Sequence, residues 1–163
     1  MKKALTTLLA FLSLPAATAI ADEAGDRAAV IGVVENFFSG MTAKDISGMQ
    51  QIMTEDGIIY GYRETADGLV TFSRTHSDYL EGLAGNEAVL VERFWEPEVM
   101  LHDRIAVVWT PYDFHSDGEF VHCGINNFSM LKAEDGWKIT GVVFSIERDN
   151  CAASPLGPFP GAE

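Results

Sequence analysis

The chain has 163 residues, a formal net charge of −13, and 47% hydrophobic against 21% charged residues. That is the length of one domain with apolar content enough for a core, which rules out a disordered acidic tail, a collagen-like fibre and a disulfide-dense miniature. The acidity argues against nucleic acid and against an anionic membrane surface, because both are held by clustered Lys and Arg.

Met1-Lys2-Lys3 opens the chain with a short basic run. Ala4 to Ala17 is almost wholly apolar, and Ala19-Ile20-Ala21 supplies a small-x-small cleavage site before Asp22-Glu23. This is the layout of a secretory signal peptide over residues 1–21, cut after Ala21. The apolar run is short for a membrane span, which needs about 20 residues. An uncleaved anchor is the alternative. Export places the remaining chain in the periplasm or outside the cell, with no membrane contact after cleavage. Such a space permits disulfides. The two cysteines, Cys123 and Cys151, are therefore expected to pair rather than stay free, a bridge worth about 3–4 kcal/mol by loop closure.

From Asp26 to Met41, Val30, Val34, Phe37, Phe38 and Met41 recur at three-to-four spacing, so an amphipathic helix is expected after a frayed start at 22–27. Asp45 is placed to cap a second helix, Ile46 to Met53. The period then changes. Gly57 to Arg63 and Leu69 to Ser73 read as strands about an Ala66-Asp67-Gly68 turn. Thr75 to Leu83 returns to helical spacing with Thr75 as its cap. Four long strands follow: Val89 to His102, Arg104 to His115, Glu119 to Lys132 and Trp137 to Arg148. Short Asp or Gly turns join them into an antiparallel meander, and Pro97 implies a bulge or an edge in the first. Residues 151–163, with Pro155, Pro158 and Pro160, form an irregular tail.

The fold class is α+β: three helices in the first half covering one face of a curved, mainly antiparallel sheet. The other face also carries Trp, Phe and Val, so a homodimer through that open face is expected.

The order of elements over 26–150 resembles the nuclear transport factor 2-like superfamily. The segments that carry a closer resemblance run from Val108-Trp109-Thr110-Pro111-Tyr112-Asp113-Phe114 through Asp117-Gly118-Glu119-Phe120, His122-Cys123-Gly124 and Asp135-Gly136-Trp137-Lys138-Ile139 to Glu147-Arg148 before Cys151. They are similar to an exported bacterial branch described as lumazine-binding or nuclear transport factor 2-like. The resemblance implies a SnoaL-like, ketosteroid-isomerase-like cone over residues 22–150. The fold is shared with ketosteroid isomerase, limonene epoxide hydrolase, scytalone dehydratase and polyketide cyclases, and with members that only bind or dimerise. It implies no agreed catalytic set, and fold alone does not choose among these activities.

A cone of this kind encloses an apolar pocket with a few polar groups. Tyr60, Tyr79, Trp95, Trp109, Phe128 and Phe144 are aromatic candidates for its lining, with Phe37 from the first helix. His76, Tyr112, Asn126 and Asn127 are polar candidates. Alternation puts His122, Asn126 and Phe128 on one strand face, and a turn near Asp135 sets Asn126 opposite Phe144 and His122 opposite Arg148. His122 suits general acid–base work because its ordinary pKa lies near neutrality. Asp113 suits it if apolar surroundings raise its pKa. Each has a plain structural alternative: a bonded strand His, and a solvated strand-end Asp.

His102, His115 and His122 are scattered and form no close ligand cluster, so no metal is expected. No phosphate loop, dinucleotide fingerprint or nucleophile elbow is present, so no cofactor is expected either. Three functions stay open. One is a binding protein for a small, partly apolar or aromatic molecule. Another is a cofactor-free isomerase, dehydratase or hydrolase. The third is a dimeric interaction module.

Overall fold

A computed structural model describes residues 17–149 and 151–159, with side chains from Glu23 onward. Residues 1–16, which carry most of the expected signal peptide, and the end of the tail lie outside the described residues. Among the described residues no helix is long and apolar enough to cross a membrane.

Helix α1 runs Ala17–Ala43, α2 Ile46–Ile52 and α3 His76–Ala84. Residues 22–27 are helical rather than frayed, because tertiary contacts hold them. Asp26 accepts from Lys132 Nζ at 2.5 Å and from the Trp137 indole at 3.2 Å, and Arg27 donates to the Val99 carbonyl at 2.8 Å. The expected apolar stripe is the one α1 buries: Val30, Val34, Phe37, Phe38 and Met41. Asp45 caps α2 by accepting from Gly48 N at 2.9 Å. Thr75 caps α3 in a reciprocal box with Asp78, which satisfies two amide donors that the helix itself leaves open.

Strands β1 (Met53–Thr65), β2 (Gly68–Thr75), β3 (Leu90–Phe94), β4 (Glu98–His102), β5 (Ile105–Ser116), β6 (Glu119–Ala133) and β7 (Gly136–Ile146) form one sheet. Its order is β2-β1-β7-β6-β5-β3, with β4 also on β5. All pairs are antiparallel except β1 with β7. The chain thus has an α+β roll with three helices on a curved sheet.

The first of the four expected long strands is divided. β3 and β4 both pair with β5, but Trp95, Glu96 and Pro97 leave the ladder between them. Pro97 has no amide proton to give, and Glu96 turns the chain at φ 46°, a left-handed value that an L residue adopts only under constraint. Thr110 Oγ1 spans the break by donating to the Trp95 carbonyl at 2.9 Å. The β5–β6 hairpin turns through Asp117 and Gly118, both at positive φ, as a two-residue turn matched to strand twist requires.

Register shifts between Phe114 and His115 on β5 and between Ser129 and Met130 on β6 bend the sheet. The concave side packs on the helices. Phe37 and Phe38 meet Phe128 edge-on at 5.5 and 5.7 Å, and Phe38 meets Phe94 at 5.4 Å. These rings, with Val108, Ile139 and Val142, fill the narrow end.

Candidate functional site

The expected register between β6 and β7 is seen at Asn126, which lies opposite Phe144, and the isolated Cys123–Glu147 bridge keeps it one residue short of the expected His122–Arg148 pair. On the concave side a row of neighbours runs across the sheet from Glu92 to Phe114 to His122. The imidazole of His122 stacks on Phe114 at 5.0 Å. Beside it runs the row Phe94, Tyr112, Gly124.

Gly124 is small for a reason. A Cβ there would lie 2.2 Å from the Ser145 carbonyl oxygen and 2.9 Å from the Tyr112 ring. The Tyr112 hydroxyl donates to that carbonyl at 2.6 Å, and Ile125 N donates to Ser145 Oγ at 2.9 Å. With its single proton so used, Tyr112 Oη can only accept at its 3.2 Å contact with His122 Nδ1. Nδ1 therefore carries a proton. In neutral His122 the acceptor is Nε2. Burial lowers the His122 pKa, and the nearby Arg148 charge lowers it further, so the neutral ring is the form at pH 7. Burial, reinforced by the charges of Glu92 and Glu147, holds the Tyr112 hydroxyl protonated far above its usual range.

Glu92 is the residue that sequence reasoning missed. Its side chain projects among Leu90, Phe94 and Phe114 on the concave face, and Asn126 Nδ2 donates to its Oε1 at 2.6 Å. These two residues lie on strands separated by β5. They touch only because the sheet curls. Glu92 keeps some accessible surface although protein surrounds it. Desolvation pushes its pKa up to about 8; the Asn126 hydrogen bond opposes this and the Asp113 charge adds to it. At pH 7 the group is mainly a neutral carboxylic acid, able to donate and accept. The signal was present in the sequence as Leu90-x-Glu92-x-Phe94, a carboxylate in the apolar row of an alternating strand.

Tyr79 on α3 stacks on Phe37 at 5.7 Å. Burial, and then Glu92, raise its pKa strongly, while Arg74, 5.9 Å over the ring, opposes them. Phe144 and Phe72 meet edge-on at 5.7 Å above Gly61. A Cβ at Gly61 would lie 2.2 Å from Phe72 and 2.8 Å from Phe144, so the glycine makes room for both rings. Glu92, Phe114, His122, Phe144, Phe72 and Tyr79 are all partly accessible. They lie on the helix-facing side of the sheet, packed beside the core, with Tyr79 contributed by α3.

Other candidates lie elsewhere. Phe128 is fully buried in the packed narrow end, with no free surface for a ligand. Tyr60 and Trp109, 51% and 47% exposed, project from the convex face. Asn127, paired between Val143 and Trp109, shares that face. Trp95 sits at the strand break, half-buried. His76 is buried with Nδ1 2.7 Å from the Thr54 carbonyl, and its Nε2 has no partner among the described residues. Desolvation lowers its pKa. Its ring packs over Gly57 of β1.

Asp113 is neither in the cone nor in solvent. Strand alternation turns it to the convex side, away from Tyr112 and Phe114. There Arg93 grips it with Nε at 2.8 Å and Nη2 at 2.5 Å, and His115 Nε2 lies 3.2 Å away. The tail covers this cluster. Cys123 and Cys151 are joined in a disulfide with Cα atoms 5.9 Å apart. Arg93 Nη1 donates to the Gly157 carbonyl at 3.1 Å, and Phe159 stacks on His115 at 4.2 Å. A carboxylate with a bidentate guanidinium is a structural ion pair, so Asp113 is already engaged by Arg93 and is turned away from the cone.

No group of three or more His, Cys, Asp or Glu placed to hold a metal occurs among the described residues. No protein-family model matches the sequence, and no curated protein matches it. Solved structures do match. A nuclear transport factor 2-like protein with a cystatin-like fold from Novosphingobium aromaticivorans is 12% identical, over 90% of this chain and 97% of its own, with TM-score 0.67. A Kribbella flavida protein is 17% identical over 77% and 93%, with TM-score 0.64. A nuclear transport factor 2-like superfamily protein from Salmonella enterica is 12% identical over 85% and 99%, with TM-score 0.57. The chain has the nuclear transport factor 2-like fold.

Proposed function

We propose that this is an exported binding protein that takes a small, partly apolar or aromatic molecule at the wide end of its cone. The observation that carries this reading is Glu92: a carboxyl group desolvated among aromatic rings and held by a neutral amide rather than a cation. Such a group is costly to bury unless something hydrogen-bonds it. A ligand ringed by Phe114, Phe144 and Phe72 would complete its bonding. The disulfide agrees with an oxidising compartment.

Thermal-shift measurement with neutral aromatic and heterocyclic alcohols tests the reading. At about 100 times Kd a ligand should raise Tm by roughly 5–10 °C. The rise should vanish in Glu92→Leu. A rise equal in both proteins would defeat it.

One observation favours a second reading, a cofactor-free acid–base enzyme. A carboxyl titrating near 8 exchanges protons at working pH, and neutral His122 lies in the same row. On this reading Glu92, not Asp113, moves the proton. Recovery of the ligand chemically changed would select it.

The convex face suits a homodimer. Tyr60, Val143 and Trp109 lie in register across it with Asn127 between them, and all three apolar residues are exposed. Light scattering at micromolar concentration should give twice the chain mass, and a clean monomer would contradict this.

A further inference from the structure

Arg27, Arg93 and Arg104 each donate to a protein acceptor. Arg63, Arg74 and Arg148 make no hydrogen bond or ion pair among the described residues. An arginine without a carboxylate partner is unexpected in a chain of net charge −13, where partners are plentiful. Two of the three, Arg63 and Arg148, share a location. Arg63 shares a strand face with Gly61 and Ile59, Arg74 lies opposite Ile59, and Arg148 lies two residues past the end of β7, beside Arg63. Arg63 and Arg148 meet at the end of the β1–β7 pair, whereas Arg74 lies beside the packed row of Ile59 and Val142 and over the Tyr79 ring.

Arg63 and Arg148 line a recess of about 520 Å³ together with Ile146, Glu64, Glu147 and Asp149. Alternation separates the charges. Glu64 projects with Tyr62 to the convex side, and Glu147, paired with Cys123, accepts from Ser145 Oγ at 3.1 Å. The concave side of the recess is left cationic.

We infer that the concave site selects an aromatic monocarboxylic acid, its carboxylate on Arg63 and Arg148 at the rim and its ring pointing toward Glu92 and Asn126. The inference rests on the binding function proposed above. One guanidinium grips one carboxylate through two parallel N–H···O bonds, and the second guanidinium adds further charge-assisted donors. The three acidic side chains around the recess disfavour a dianion such as a phosphate monoester. Size agrees as well. Glu92, Phe114 and His122 occupy successive strands and Arg148 follows the end of the next, so the row is about 14 Å long measured on the sheet and shorter across its hollow side. A one-ring acid with a polar group at its far end fits that span.

The test is calorimetric titration of the purified protein at pH 7 with benzoate, 4-hydroxybenzoate and phenylacetate, each beside its methyl ester. At least one acid should bind at least tenfold more tightly than its ester. In the Arg63→Gln/Arg148→Gln double variant that acid should weaken at least tenfold while the ester stays within twofold. An unchanged circular dichroism melt confirms that the variant is folded. Equal affinity for acid and ester, or an unaltered acid affinity in the double variant, overturns this inference and leaves the binding function standing. Failure of acids and esters alike overturns both.

Discussion

The two faces of the sheet carry similar side chains to opposite ends. On the convex face, Asp113 and His115 are buried with Arg93 and closed over by the tail, and the carboxylate has a cation as its partner. On the concave face, Glu92 and His122 lie in one row, and the carboxyl group has only an amide as its direct partner. The first arrangement is complete as it stands. The second has bonding capacity to spare and some surface left open. Burial alone does not mark a site; burial without a matching charge does.

The convex cluster should break hardest. Asp113→Ala strands the Arg93 guanidinium under the tail and should cost about 3–5 kcal/mol in urea denaturation, with ligand affinity unchanged. A cost below about 1 kcal/mol would show that the ion pair is solvated. Next, Cys123→Ser/Cys151→Ser should cost about 2–4 kcal/mol by opening the loop and should expose the tail to protease. Equal masses for the protein under reducing and non-reducing denaturation would deny the bridge.

The concave cluster should respond through pH. Glu92 has a folded pKa of about 8, above its unfolded value. Its contribution to stability is therefore complete below about pH 4.5 and is lost as pH rises through about 8. His76 and His122 act in the opposite direction. Their folded pKa values are lowered by burial, so their contribution is present above about 6.5 and is lost on acidification. The difference between wild type and Glu92→Gln isolates the first effect, and it should shrink steadily from pH 5 to 8.5. A flat difference would mean that Glu92 is solvated. The smallest effect is expected from Asn126→Ala, about 1–2 kcal/mol for one lost buried hydrogen bond. It should move the Glu92 midpoint upward, because the bond it removes favours the charged form.

Much of the fold was legible because periodicity reports burial directly. The α1 stripe from Val30 to Met41, the Thr75 cap, the Asp117-Gly118 hairpin and the Asn126–Phe144 register are local or one turn away in sequence. The site was only half legible. Parity put His122 and Asn126 together, since both lie on β6. Parity also put Asp113 opposite Tyr112, but nothing local said which of the two faced the helices. Glu92 stayed hidden because Val89 to His102 reads as one strand, and the break at Glu96-Pro97 decides how its first half sits on β5. Its contact with Asn126 crosses an intervening strand and depends on sheet curvature, which bulges at Phe114/His115 and Ser129/Met130 create and no residue pattern announces. The tail's grip on His115 through Phe159 was illegible for the same reason: it joins an irregular segment to a strand far from it in sequence.

The contrast between the faces rests most directly on the state of one carboxyl group. Carbon-13 NMR of the side-chain carboxyls, with Glu92→Gln supplying the assignment, should show the Glu92 carbon titrating near pH 8 and shifting when an aromatic ligand is added. A midpoint near the ordinary 4.5, indifferent to every such ligand, would contradict a desolvated, ligand-facing acid in the cone.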